Sequence, residues 1–115
     1  MKMADSVRVP SSEDAVLRAI VERLVQIYQP ERIYLFGSVA RGDAGPGSDY
    51  DLMIIVPDSA PRELRDPGLA YRAIWRLGAA VDPLVWMRTQ FDSRLHLRAS
   101  LPATVQREGK LLYAA

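Results

Sequence analysis

Two acids stand two residues apart, Asp49 and Asp51, at the head of the apolar run Leu52 to Val56, which reads as a strand. Side chains along a strand alternate faces, so this pair projects to one side about 7 Å apart. Two carboxylates held that way repel, and a cation offsets the cost. The chain has no cysteine and one histidine, so the donors are oxygens, which favour a hard divalent ion such as magnesium. Ten residues separate Asp49 from the pair Gly37-Ser38, which supplies the opposite polarity. Gly37 lacks a β-carbon and lets the backbone approach a ligand. Ser38 falls where a helix would begin, so its hydroxyl and the amides after it suit a phosphate. Arg41, one turn further, is placed to hold a second phosphate oxygen. A phosphate cradle facing a metal-binding carboxylate pair is the equipment of phosphoryl or nucleotidyl transfer.

These residues need elements to bring them together. Val16, Ile20, Leu24 and Ile27, flanked by Leu17 and Tyr28, recur at helical spacing. They predict an amphipathic helix that opens at Ser11 with Asp14 and ends near Gln29, before Pro30. Arg32 to Phe36 predicts a first strand, Ser38 to Arg41 a short helix, and Asp51 to Val56 a second strand, apolar on both faces and so covered on both. Pro57 to Arg65 reads as loop. Asp66 as cap and Pro67 as first residue open a helix whose apolar face is Tyr71, Ile74 and Trp75 and which Gly78 stops. Val81 to Trp86 predicts a third strand. Thr89 with Asp92 opens a short helix, Ser100 caps one that runs to Arg107, and Lys110 to Tyr113 adds an edge strand.

With the first two strands antiparallel, Ser38 comes beside Asp49 and Asp51. A strand, helix, strand unit from 51 to 86 is normally a right-handed crossover between parallel strands, which puts both strand starts at one sheet edge. Asp82 then stands beside Asp51. It is the sole acid in the apolar run from Leu77 to Met87, where burial of a charge needs some return. Trp86 shares its face by parity and reads as core; His96 has no companion at ligand spacing and reads as structural or exposed.

The 115 residues, 49% hydrophobic and 25% charged, fit one domain spanning 1–115, an α/β or α+β unit with a small mixed sheet and helices packed on it. A net charge of +1 disfavours bulk nucleic-acid binding, and the basic excess after residue 83 reads as a solvated helix face. No stretch approaches the ~20 apolar residues of a membrane span, and the first twelve residues are polar, so a soluble, cytoplasmic protein is expected.

The segment Leu35-Phe36-Gly37-Ser38-Val39-Ala40-Arg41-Gly42, leading to Ser48-Asp49-Tyr50-Asp51-Leu52, resembles the signature of the minimal nucleotidyltransferases of the DNA polymerase beta superfamily. Val81-Asp82 and the closing Arg107 to Tyr113 are similar to further parts of that family. The resemblance implies a polymerase-beta-like nucleotidyltransferase fold, two magnesium ions and ATP as substrate. It implies that Asp49 and Asp51 bind both ions, that Asp82 binds one and helps deprotonate an acceptor hydroxyl, and that Gly37, Ser38 and Ser48 hold the nucleotide. Pro83, directly after Asp82, departs from the aliphatic residue usual there. Members of this size resemble the antitoxin halves of HEPN/MNT toxin-antitoxin pairs, which implies transfer of AMP to a tyrosine of a HEPN-type toxin partner. Two alternatives stand beside this: a binding module that occludes its partner without catalysis, and a small-molecule adenylyltransferase like the aminoglycoside-modifying enzymes, whose acceptor pocket a homo-oligomer would complete.

Overall fold

The computed structural model describes residues 15–43, 45 and 49–115. The expected helix start at Ser11 and Asp14 lies outside them, as does Ser48. The first helix, α1 (Ala15–Tyr28), buries Leu17, Ile20, Val21, Leu24, Val25 and Tyr28. That series is an unbroken i, i+3, i+4 stripe. It is turned by about one residue from the expected one, which leaves Val16 exposed at its flank. Gln29 enters the left-handed region with φ 47° and donates its N–H to the Val25 carbonyl at 3.0 Å, and Pro30 follows. The helix stops there because the next residue has no N–H to continue it.

Four strands form one mixed sheet in the order β3-β2-β1-β4. They are β1 (Arg32–Phe36), β2 (Tyr50–Val56), β3 (Val81–Met87) and β4 (Lys110–Ala114). The antiparallel pairing of β1 and β2 assumed from the sequence is present, with Phe36 opposite Asp51, and β2 and β3 are parallel as the crossover predicts, with Asp51 opposite Asp82. The β2–β3 register runs unbroken from Tyr50–Val81 to Val56–Met87. Pro83 therefore leaves it intact: β3 is an edge strand, where a residue without an N–H can face the open side.

Both sheet faces are covered. Leu52, Ile54 and Val56 join Ile33, Leu35 and the α1 stripe in one apolar cluster, together with Ala70 and Ile74 near α3 (Gly68–Ala73). Met53 and Ile55 join Tyr34, Phe91 and Val105 in a second, on the side of α4 (Arg88–Asp92) and α5 (Leu101–Glu108). Trp86 packs there, in the core role expected of it. Among the described residues no helix is long and apolar enough to cross a membrane.

Three local expectations are corrected. The helix predicted from Asp66 to Gly78 is only the six-residue α3, because Arg76 and Gly78 both take positive φ, 78° and 76°. Tyr71 and Trp75, expected in its apolar face, are instead 51% and 71% exposed; Ile74 alone of the three is buried. The loop expected at 57–65 contains a 3-10 turn at Arg62–Arg65. Finally α4 begins at Arg88, capped by Gln90 Oε1, which accepts the Met87 N–H at 3.2 Å. Thr89 does not open this helix, since its hydroxyl and N–H are donated to Asp58. Ser100 caps α5 as expected, its Oγ accepting from the Ala103 N–H at 3.2 Å.

Candidate active site

The end of β1 and the starts of β2 and β3 meet at one edge of the sheet, and the candidate residues lie on all three. From Phe36 the chain turns at Gly37, φ 76°, into α2 (Gly37–Arg41), whose first turn carries no side-chain cap. Gly42, φ 81°, closes that helix, and the Asp43 N–H reaches back to the Ser38 carbonyl at 3.1 Å. The result is a tight hook that sets Ser38 and Arg41 one turn apart beside the start of β2.

Gly37 does a job that the sequence did not disclose. A β-carbon built on it would overlap the Asp51 Oδ2, so the carboxylate lies directly against this bare backbone. Its absent side chain makes room for an acid of the protein itself, in addition to any ligand. A positive φ tells the same story from the backbone side, since residues with a β-carbon rarely adopt it.

Asp51 is the half-buried centre of the acidic group, with Asp49 and Asp82 exposed to either side. Its carboxyl is held above the ordinary carboxylate range, first by burial, then by the charges of Asp82 and Asp49, while Arg41 opposes the rise. All four side chains therefore share one electrostatic neighbourhood. Arg41 also pairs with Asp43, its Nε 3.3 Å from Oδ2, at an exposed position where such a pair holds weakly. It remains close enough to swing toward an anion.

The structure brings Asp51 and Asp82 into register and Asp49 within reach of both, but it does not draw the three into a finished ligand shell. Among the described residues no group of three or more acidic or histidine side chains stands ready to hold a metal. Like charges splay apart, and the two exposed members are free to do so. The donor chemistry suits a hard divalent cation nonetheless: carboxylate oxygens only, while His96 lines a separate cleft with Arg98 and Arg107.

A fold with this sheet and an acidic edge of this kind defines a class, and comparison with known proteins agrees. A family model described as a nucleotidyltransferase domain matches residues 17–108, and the chain belongs to that family. No curated protein matches it. Among solved structures, a toxin-antitoxin with AMP-PNP is 25% identical with a TM-score of 0.54, over 84% of this chain and 72% of the other. A mutant of the toxin-antitoxin MntA-HpeT, with two aspartates two positions apart changed to glutamate, is 23% identical with a TM-score of 0.53, over 83% and 71%. A candidate nucleotidyltransferase from Sulfolobus solfataricus is 20% identical with a TM-score of 0.51, over 93% and 90%. The likenesses under 25% identity speak to the fold.

Proposed function

We propose that this chain, acting as a single domain over residues 1–115 in the cytoplasm, transfers AMP from ATP to a hydroxyl of a partner protein. The partner is a HEPN-type toxin and the acceptor a tyrosine, so the chain acts as its antitoxin. One observation carries the reading: Asp51 is seated against Gly37 on one side and in register with Asp82 on the other. That seat puts the Gly37-Ser38 turn and the acids on adjoining strand ends, which supports reading them as a phosphate loop and a metal-binding set. The solved toxin-antitoxin with AMP-PNP, 25% identical to this chain, supports a nucleotide of this type and a toxin partner.

Asp49, Asp51 and Asp82 are the oxygen donors that would hold the magnesium ions. When bound, these supply charge neutralisation for the polyphosphate and its leaving group. Ser38 and Arg41, with Ser48, hold the non-reacting phosphates, and the uncapped amides at the start of α2 point the same way. Asp82, on the outer strand, takes the proton of the acceptor hydroxyl. The acceptor oxygen then forms a bond to the α-phosphorus, the bond from that phosphorus to the bridging oxygen breaks, and pyrophosphate leaves with the electron pair.

Incubation with α-labelled ATP, magnesium and the partner protein should label the partner, and Asp51→Asn should lower labelling by about a hundredfold or more, as expected when charge stabilisation is lost from a transition state. Labelling by the variant at the native rate would refute the mechanism. A second reading, inhibition by occlusion, draws on the fact that the three acids do not form a ready metal cluster. It predicts that Asp51→Asn suppresses the partner as well as the native chain does at equal stoichiometry.

A further inference from the structure

An open groove of about 590 Å³ runs between the end of α3 and the strand start that carries Asp82, lined by Tyr71, Ile74, Trp75, Arg76, Ala80 and Val81 among others. We propose that this groove docks the acceptor protein by gripping an acidic segment next to its reactive hydroxyl; the inference rests on the transfer reading above and names where its second substrate is held.

Position comes first. Val81 in the groove wall directly precedes Asp82, and the Ala80 carbonyl accepts the N–H of Tyr50, the residue between Asp49 and Asp51, at 3.0 Å. The groove wall and the acidic edge are thus one hydrogen-bonded piece of backbone. The phosphate loop lies at the end of β1, on the other side of β2, two strand spacings or about 10 Å away. Nucleotide and groove occupant therefore approach the acids from opposite flanks. Val81 and Asp82 face opposite sides of the strand, so a segment seated in the groove crosses the mouth of β3 and needs about three residues to reach Asp82.

Composition decides the occupant. Tyr71 and Trp75 are exposed by half or more, and with Arg76 they are the three residue types that dominate the energetics of protein interfaces. A small-molecule pocket would enclose its ligand, whereas this surface is open and its largest side chain stands in solvent. Among the described residues the lining holds one charge, that of the exposed Arg76, and no acid. A segment that covers the aromatic pair and lays an acidic residue against Arg76 satisfies both halves of the groove.

The test uses a fluorescein-labelled glutamate–tyrosine copolymer, without nucleotide, titrated with the full chain and read by anisotropy. The proposal expects binding, with a lysine–tyrosine copolymer much weaker. Tyr71→Ala with Trp75→Ala, and separately Arg76→Glu, should each weaken binding about tenfold or more. Asp51→Asn should bind as the native chain does. Absence of binding, or equal binding by the groove variants, overturns the proposal. So does a groove variant that loses magnesium–ATP binding, which would make the groove a base site, or one that shifts the chain from dimer to monomer in sedimentation, which would make it a self-interface. Because the titration omits nucleotide, failed AMP transfer to the real partner would sink the reaction while leaving this result standing.

Discussion

Asp51 carries a cost to the fold that the proposed chemistry would account for. Its carboxyl sits above the ordinary range because burial and two neighbouring acids disfavour its charge. The folded chain therefore binds that proton more tightly than the unfolded chain, and the ionised group costs stability at neutral pH. The cost is relieved as pH falls through the folded value. Asp51→Asn should accordingly raise the melting temperature of the metal-free protein at pH 7, with the gain shrinking in acid, while transfer is lost; a variant less stable than the native chain at pH 7 would contradict this. Gly37→Ala meets both a positive φ and the Asp51 carboxylate, and urea denaturation should show a loss of at least about 1–2 kcal/mol. That Asp51 and Asp82 come to lie side by side was legible, because acid residues in apolar strand starts demand a reason and the crossover sets those starts at one edge. The seating of Asp51 on Gly37 was not, since spacing along a chain says nothing of which carboxylate a bare Cα will meet.

At the scale of elements, two polar ties fix the helices, one between α1 and α3 and one between α4 and the loop after β2. The Tyr28 hydroxyl, at the end of α1, donates to the Asp66 carbonyl at 2.6 Å and accepts the Ala70 N–H at 3.0 Å, pinning α3 and hence the groove wall. Burial pushes the Tyr28 phenol up from 10.0 to about 12. The neutral phenol thus adds stability that is complete below pH 10 and lost as pH rises toward about 12. Tyr28→Phe should cost about 1 kcal/mol at pH 8 and flatten the alkaline limb of the stability profile. On the opposite sheet face, Asp58 accepts from both the Thr89 N–H and its hydroxyl, which holds its carboxyl below the ordinary range. That stability is present above the unfolded value and lost as pH falls through the folded one. Asp58→Asn should therefore destabilise the chain at neutral pH and differ little from it in strong acid. The strand pattern and the Ser100 cap could be read from period and end signals, and the parallel pairing of β2 and β3 from the handedness of crossovers, whereas the antiparallel pairing of β1 and β2 had to be assumed. The short α3 could not, because Arg76 takes a left-handed turn that its residue type does not announce and that leaves Tyr71 and Trp75 outside the core.

Across the whole molecule, a sheet buried on both faces leaves an edge where three strand ends carry the Gly37–Arg41 hook, Asp51 and Asp82 in that spatial order. A net charge of +1 spread over this surface offers little long-range pull on nucleic acid, so selectivity rests on local contacts. The most direct measurement is intact-mass spectrometry of the proposed HEPN-type partner after co-expression with the native chain or with Asp51→Asn. The account predicts a partner heavier by adenylyl groups on a tyrosine with the native chain and an unmodified partner with the variant. An unmodified partner in both, or a modified one in both, would contradict it.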